Sequence, residues 1–377
     1  MGHIISYVRR QRKKTFEEVP FNEVDALVLS QFIYLKLDGL IPHFLDRKDA
    51  VELRHLAEIM ELDKVFADER YAKDNKALFR AMIRSKRFGG MKLNYFSNII
   101  SVLAETQFAA VTVFLEKGPT VVVFRGTDET VIGWKEDFNM FLKEPVTGQT
   151  LSALYLKQIG ATLKGKFLIT GHSKGGNFSI YAAMNIEEDI QDRIINVYSF
   201  DSPGFRPEIL ATVDFERIKD RIKKYLPHSS IVGMALQSKE SYRVVESASI
   251  GFMQHNPYNW RVEGTHFKEL EDVKKGNKVW SEAFNEWLLG LEDEQIKAFV
   301  ESWYQIVSDA NITTLWEFSK EPGKTLLNLI DAFLETDDNT KEMAKKFVFS
   351  LRDIATDNLK CSMENIKNQI QEKLERE

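Results

Sequence analysis

The 377-residue sequence contains a single cysteine, Cys361, and only nine prolines. One cysteine can form neither an intramolecular disulfide nor a thiolate zinc site, and this scarcity is typical of a reducing compartment. The 51 basic and 56 acidic side chains leave a formal net charge of −5, which gives no overall attraction to nucleic acid. We therefore expect a cytoplasmic protein that has no nucleic-acid partner.

Long apolar runs are also missing from the sequence. The longest, such as residues 120–124, are far shorter than the roughly 20 residues that a membrane-spanning helix needs. The basic residues 9–14 precede a polar segment, not the apolar stretch of about 7–15 residues found in a secretory signal. Gly2 and Ser6 match the short myristoylation pattern, although a frayed or helical basic arm is the simpler interpretation. We predict no transmembrane segment, and peripheral membrane contact stays open.

Composition and patterning predict a globular α/β chain with helical additions. With 44% hydrophobic and 28% charged residues, wholesale disorder is excluded. From about residue 281 the strand signals vanish, and an irregular apolar stripe there favours helices packed on their own domain over a coiled coil. The predicted organisation is a basic arm (1–20), an α/β domain (21–290) with a helical insertion (46–92), and a helical C-terminal region (291–377).

Short β-branched and aromatic segments alternate with amphipathic ones in the middle of the chain. The predicted strands are 108–115, 120–124, 166–170, 194–200, 231–236 and 242–246, and the predicted helices are 21–45, 151–163, 177–185 and 215–224. Alternation of this kind predicts a mostly parallel sheet with helices on both faces.

The pentapeptide Gly171-His172-Ser173-Lys174-Gly175 matches the G-x-S-x-G pattern of a nucleophile elbow. In that elbow a serine occupies the sharp turn from a strand to a helix, and glycines on both sides allow close approach of neighbouring segments. The pattern is weak by itself, but an apolar strand precedes it and a helix of small residues follows it. The sequence therefore predicts Ser173 as a nucleophile.

A nucleophilic serine needs a base and an acid that orients the base, in the chain order Ser, Asp or Glu, His. No aspartate occurs between residues 221 and 271. Asp201 follows the strand after the elbow, at the edge where ligands gather in open α/β sheets, and is the predicted acid. Its competing interpretation is a turn residue before Ser202-Pro203-Gly204.

Three of the seven histidines lie downstream of this acid. His255, in a loop after a predicted strand, is the favoured base, while His228 and His266 remain alternatives. His172 directly precedes the serine, and a structural role is favoured for it. An oxyanion hole needs two backbone N–H groups, for which Lys174, next after the serine, and Thr127, at an earlier strand end, are the candidates; Thr127 alternatively starts a turn.

Several ordered motifs resemble known hydrolases. Residues 121–128 (VVVFRGTD) with Trp134 and Asp137 resemble the class 3 lipase signature, in which F-R-G-T/S contributes an oxyanion residue and W-x-x-D supports the elbow. Residues 199–204 are similar to the strand and S-P turn after that elbow. The elbow GHSKGGN, with residues 21–25 and 254–257, resembles a bacterial group of α/β-hydrolases usually labelled a domain of unknown function.

This resemblance spans about residues 20–290 and implies an α/β-hydrolase fold. It implies Ser173 as nucleophile, Thr127 and Lys174 as oxyanion donors, and His255 as base. Class 3 lipases place the acid in a later loop, roughly where Ser229-Ser230 stand here, whereas pancreatic-type lipases place it after the strand that follows the elbow. The acid is therefore either Asp201 or missing from an incomplete triad.

The sequence thus predicts an esterase- or lipase-like serine hydrolase that cleaves a small acyl ester or lipid through an acyl-enzyme on Ser173, with no metal or organic cofactor. Residues 128–149 form either a lid or buried packing. The alternative is a catalytically silent α/β-hydrolase fold that serves as a binding or scaffold protein through its C-terminal helices. Lack of an acid partner for His255 would favour that alternative.

Overall fold

A computed structural model of the chain describes most residues from 2 to 273. The described residues are 2–46, 48–61, 65–66, 71–128, 130–142, 144–249, 251–273, 285 and 294. The predicted helical region 291–377, with Cys361, lies outside this part of the chain except for residue 294. The predicted domain boundaries therefore stay predictions.

The helices of the described residues are short. They are α1 (Ile4–Arg10), α2 (Glu23–Phe32), α3 (Leu53–Ile59), α4 (Ala72–Ile83), α5 (Lys86–Gly89), α6 (Val131–Leu142), α7 (Thr147–Thr162), α8 (Lys174–Met184), α9 (Glu188–Gln191), α10 (Pro207–Leu210) and α11 (Val213–Ile218). None of these helices has the length and apolar character required to cross a membrane.

One mixed sheet dominates the described structure. The strands are β1 (Val51–Glu52), β2 (Lys92–Ser101), β3 (Thr106–Phe114), β4 (Thr120–Phe124), β5 (Phe167–His172), β6 (Ile194–Phe200), β7 (Ile222–Pro227), β8 (Tyr242–Val245), β9 (Val262–Glu263), β10 (His266–Phe267) and β11 (Glu269–Leu270). Nine of them form the sheet in the order β1-β2-β3-β4-β5-β6-β7-β8-β11, and β9 pairs with β10 separately. Strands β4 to β8 are parallel, and β1, β2, β3 and β11 add antiparallel edges.

Helices cover both faces of this sheet, as the alternation of elements predicts. Strand β4 sends Val121 and Val123 into one apolar core and Val122 and Phe124 into the other. Because consecutive parallel strands are joined by right-handed crossovers, the connecting helices α7, α8 and α11 fall on one face. The N-terminal helices α1, α2 and α4 cover the other face. A five-stranded parallel centre is thereby buried on both sides.

The N-terminal segment is part of the core and does not extend as a free arm. Helix α1 buries Ile4 and Tyr7 completely, and Gly2 pairs with Val262. The Tyr7 hydroxyl donates a hydrogen bond of 2.8 Å to Asp25, whose carboxylate also receives Arg87 Nε at 2.7 Å. Residues 2–10 therefore pack as a helix against α2, and the basic side chains that follow lie at the end of a docked element.

Three predicted elements differ from the structure. The predicted helix 21–45 covers only Glu23–Phe32 as α2, and residues 33–43 form no helix or strand. The predicted helix 215–224 ends early, because Ile222–Pro227 inserts as β7 between β6 and β8. Lys223 and Lys224 interrupt the apolar pattern of that strand: Lys224 is buried, with Glu240 3.1 Å away. The predicted strand 231–236 is a 3-10 turn at Val232–Met234. Strand β2, in a stretch with no predicted strand, was missed.

Replacement of Tyr7 by phenylalanine tests the docking of α1. Tyr7→Phe removes a hydrogen bond to a buried carboxylate, and such bonds contribute about 1.5–3 kcal/mol to the free energy of unfolding. We expect a loss of that size in urea denaturation. The control, Tyr242→Phe on the partly exposed start of β8, should stay within about 0.5 kcal/mol of wild type. Equal losses in both variants would contradict this role for Tyr7.

Candidate active site

The register of the parallel strands brings three sequence-predicted residues to one edge of the sheet. Phe124 on β4 pairs with Gly171 on β5, and Gly171 pairs with Ser199 on β6. Thr127, Ser173 and Asp201 each follow these positions by two or three residues. All three therefore lie just beyond the carboxyl ends of neighbouring strands, where open α/β sheets bind ligands.

Ser173 occupies a strained turn between β5 and α8. Its backbone adopts φ 58° and ψ −134°, a conformation that is rare for a residue with a side chain. The Ser173 amide donates to the Phe200 carbonyl at 2.9 Å, and the Ser173 carbonyl accepts from Gly176 at 2.9 Å. These bonds on both sides of the serine hold the turn in place, and the side chain remains half-buried.

The glycines of the pentapeptide are required by close backbone contacts. A Cβ atom on Gly171 would collide with the carbonyl oxygen of Gly175, and one on Gly175 would collide with that of Phe124. Gly126, before Thr127, faces the His172 carbonyl and the Ser173 side chain in the same way. The end of β4 therefore packs directly against the serine turn, and this contact places Thr127 beside it.

Asp201 is buried and its carboxylate is oriented by three donors. One oxygen, Oδ1, accepts hydrogen bonds from the Ser230 hydroxyl and from the Gly233 amide at 3.1 Å. The other, Oδ2, lies 2.7 Å from Nδ1 of His255. The residue has a positive φ of 44°, and its amide donates to Tyr225 at 2.8 Å. Both carboxylate oxygens are thus hydrogen-bonded, and one of them is bonded to a histidine.

His255 lies at the end of a 3-10 turn (Gly251–His255) and is mostly buried. A carboxylate oxygen can only accept hydrogen bonds, so Nδ1 of His255 donates its proton to Asp201. Nε2 is the ring nitrogen that lies outside this bond. His172 donates from Nε2 to the His255 carbonyl at 3.0 Å, and the two rings lie 4.6 Å apart. His172, the residue directly before Ser173, therefore holds the His255 loop against the serine turn. This is a structural role, as the sequence favoured.

The two alternative histidines occupy other positions. His228 Nε2 lies 3.0 Å from the side-chain amide of Gln254, the residue before His255, and so supports the same loop. His266 pairs with Glu23 at 2.7 Å, and its side chain is 68% exposed on β10. Of the three candidates, the structure brings only His255 to Asp201.

Thr127 is linked by its hydroxyl to helix α6. Its Oγ1 donates to Asp137 Oδ2 at 2.5 Å, so the hydroxyl is occupied and the backbone amide remains the group of Thr127 that is suited to an anion. Burial raises the pKa of Asp137 to about 6, while Lys174 and the Thr127 hydroxyl oppose the rise. About a third of the Asp137 side chain, 37%, stays open to solvent, which limits the effect of burial.

Lys174 does not face the solvent or a ligand space. Its ammonium lies 2.9 Å from Glu136, and neither side chain is exposed. Glu136 also accepts from Thr106, from the Gln107 amide at 3.0 Å and from the Gly148 amide at 2.8 Å. Segment 128–149, predicted as a lid or as buried packing, is thus joined to β3 and to the elbow by a fully bonded buried carboxylate, and these contacts favour packing.

Sequence reasoning missed the groups that support the predicted residues. Gly233 falls in the predicted strand 231–236 and Ser230 directly precedes it, yet both residues orient Asp201. A Cβ on Gly233 would come within 2.6 Å of the Asp201 carboxylate. Glu136 was not singled out, although it directly precedes Asp137. The available signals were a glycine inside an apolar run and a lysine inside an otherwise small-residue elbow.

Among the described residues, no group of three or more His, Cys, Asp or Glu side chains is arranged to hold a metal ion. The acidic and histidine side chains at the edge of the sheet are instead bonded to one another or to protein donors.

Fold and site together define an α/β protein that presents a serine, an aspartate and a histidine bonded to that aspartate at the carboxyl edge of its sheet. The chain belongs to the Mbeg1-like family, whose sequence model matches residues 82–305, more than half of the 377 residues. The matched segment includes all five candidate site residues. No protein of curated function matches the sequence.

Comparison with solved structures finds distant lipases. The chain is similar to the Rhizomucor miehei lipase in a propeptide complex, at 14% identity and a TM-score of 0.32 over 52% of this chain and 70% of that chain. It is also similar to M37 lipase, at 16% identity and a TM-score of 0.33 over 57% of this chain and 70% of that chain.

The raised pKa of Asp137 predicts a pH dependence of stability. Because this pKa lies near 6 in the folded chain against an ordinary 3.8, the folded state holds the proton more tightly than the unfolded state. The contribution of Asp137 to the free energy of unfolding should therefore fall as pH rises from about 4 to 6. Asp137→Asn should lose less stability than wild type over this window in urea denaturation. Asp189→Asn, an exposed control, should follow wild type, and parallel curves for all three would contradict the assignment.

Proposed function

We propose that the protein is a serine hydrolase that cleaves carboxylic esters through an acyl-enzyme on Ser173. The observation that carries the proposal is the 2.7 Å bond between Asp201 and Nδ1 of His255, at the same sheet edge as a serine held in a strained strand-to-helix turn. Nucleophilic acyl transfer requires a serine, and a histidine that is oriented by an acid and takes the serine proton.

In the proposed reaction His255 transfers one proton in each half. Nε2 of His255 takes the Ser173 hydroxyl proton while Oγ bonds to the ester carbonyl carbon, and the tetrahedral intermediate then collapses as the same proton passes to the leaving alcohol. Water repeats the sequence: it gives a proton to His255 and attacks the acyl carbon. The bond between Oγ and the acyl carbon then breaks, the carboxylic acid leaves, and His255 returns the proton to Ser173. Asp201 stays ionised and holds the imidazole throughout.

The negative charge of the tetrahedral oxygen is proposed to rest on the amides of Thr127 and Lys174. Lys174 begins helix α8, whose N-terminus adds a favourable dipole for an anion. Thr127 is held beside the serine turn by Gly126 and by its bond to Asp137. Donors fixed in advance stabilise the charge without reorganisation, and this stabilisation usually contributes more to the rate of acyl transfer than any other single effect.

We propose a small acyl ester or lipid as substrate, from the motif likeness of residues 121–137 to class 3 lipases, and a cytoplasmic location from the composition. Peripheral membrane contact is compatible with both. The scaffold alternative depended on a His255 without an acid partner, and the bond to Asp201 removes that reason for it.

A fluorophosphonate probe tests the nucleophile directly. We expect wild type to be labelled and Ser173→Ala to be unlabelled, because the probe phosphonylates only an activated serine. Ser241→Ala, which removes an exposed serine before β8, serves as control and should be labelled like wild type. A wild type that resists the probe, or a Ser173→Ala that reacts equally well, would sink the serine-hydrolase proposal.

Hydrolysis of a short p-nitrophenyl ester tests the acid. Asp201→Asn should lower kcat by about 10⁴, because the amide leaves the imidazole in the wrong tautomer. The exposed Asp189→Asn should keep wild-type kcat. Unchanged turnover in Asp201→Asn would show that the acid lies elsewhere or is not needed, even if Ser173 reacts with the probe.

A further inference from the structure

Two adjacent carboxylates on helix α6 hold the two proposed oxyanion residues. Asp137 bonds the hydroxyl of Thr127 at 2.5 Å, and Glu136 bonds the ammonium of Lys174 at 2.9 Å. Thr127 and Lys174 come from different strand ends, so their amides have no covalent reason to keep a fixed separation. Helix α6 supplies a common anchor for both.

The bond between Lys174 and Glu136 is an ion pair in the protein interior. Both side chains are fully buried, and the ammonium also donates to the carbonyl of Gly133 at 3.4 Å. Asp137 lies 4.0 Å from the same ammonium. The lysine side chain therefore runs from the serine turn into α6 and ends among α6 groups.

Glu136 is itself immobilised from the opposite side. Its Oε1 accepts from the Thr106 hydroxyl at 2.5 Å and the Gly148 amide at 2.8 Å, while Oε2 accepts from the Gln107 amide at 3.0 Å in addition to Lys174. Donors from β3 and from the first turn of α7 thus fix the carboxylate. Because Glu136 is fixed in this way, the Lys174 ammonium is held at a defined position relative to β3 and α7.

We propose that the Lys174–Glu136 ion pair positions the backbone amide of Lys174 in the oxyanion hole, so that both residues act as positioning residues through their side chains. This inference rests on the proposed serine-hydrolase function. The side chain of Lys174 then fixes the backbone next to the nucleophile, which explains why a charged residue follows Ser173.

A buried ion pair contributes more to the position of its groups than to stability, and this is the physical reason for the proposed role. Removing two charges from water is unfavourable, and an apolar pair of similar volume is often at least as stabilising. Stability alone therefore does not explain the pair. A charged bond in a low-dielectric interior is short and directional, however, and oxyanion donors must lie about 2.7–3.1 Å from the developing charge. A displacement of about 1 Å can cost about 100-fold in rate.

The experiment replaces the pair by apolar residues of similar size, as Lys174→Met with Glu136→Leu, so that no buried charge is left unpaired. The matched control is Lys224→Met with Glu240→Leu, which removes another buried Lys–Glu pair, 3.1 Å apart, whose lysine bonds to Ser238. The melting temperature, kcat and KM for a p-nitrophenyl ester, and the rate of fluorophosphonate labelling are measured for wild type and both double variants.

We expect both double variants to fold, and the Lys174/Glu136 variant to melt below wild type, because the Thr106 hydroxyl and the Gln107 and Gly148 amides lose their acceptor. In the Lys174/Glu136 variant kcat and the labelling rate should fall by about 10- to 100-fold while KM stays within about threefold, because the lost contact acts in the transition state. The Lys224/Glu240 variant should keep wild-type kinetics. Wild-type kcat in a folded Lys174/Glu136 variant would overturn the inference and leave the serine-hydrolase proposal intact.

Hydrogen exchange gives a readout that does not require activity. Peptides that span β5 and the first turn of α8 should exchange faster in the Lys174/Glu136 variant and unchanged in the control, because only the first variant releases the elbow. If wild type neither turns over esters nor reacts with the probe, the hydrolase proposal fails and the catalytic part of this inference fails with it. Unchanged exchange in the Lys174/Glu136 variant would overturn the positioning itself.

Discussion

The buried carboxylate of Glu136 is the interaction on which the arrangement of the site depends. Its oxygens accept hydrogen bonds from Thr106 and Gln107 on β3, from Gly148 on α7 and from Lys174 at the serine turn. A charge that is shut away from water is tolerated only when every lone pair is satisfied, so these four partners must arrive together. The sheet edge and the serine turn must therefore form together, because both supply partners of Glu136.

The sequence predicted the regular elements where side chains alternate clearly. Strand β6 occupies the predicted residues 194–200, since this segment is rich in β-branched and aromatic residues. Residues 231–236 are equally apolar, yet they form a turn. There the amide of Gly233 bonds to Ser230 Oγ and to the Asp201 carboxylate, a local side-chain bond that competes with a strand ladder. Such competition depends on a residue 32 positions away, which periodicity cannot register.

The candidate site was predictable in its principal residues and not in their supports. The chain order of serine, acid and histidine, with the lack of aspartate in 221–271, favoured Asp201, and a loop position after a predicted strand favoured His255 over His228 and His266. Register then explains why Ser173 and Asp201 meet at one edge. The partners of Lys174 could not be inferred in the same way, because a buried lysine and an exposed one look alike until a distant carboxylate is placed beside one of them.

The contacts of Asp201 bear on how such proteins are found. Class 3 lipases, which this sequence resembles, carry the acid roughly where Ser229-Ser230 stand, and here Ser230 donates to an acid that arrives from the neighbouring strand. The Asp201 carboxylate thus lies against the loop that holds Ser229 and Ser230, although it follows β6 in the chain. A search that demands an aspartate in the later loop would discard this chain, whereas one that asks which carboxylate the loop contacts would retain it.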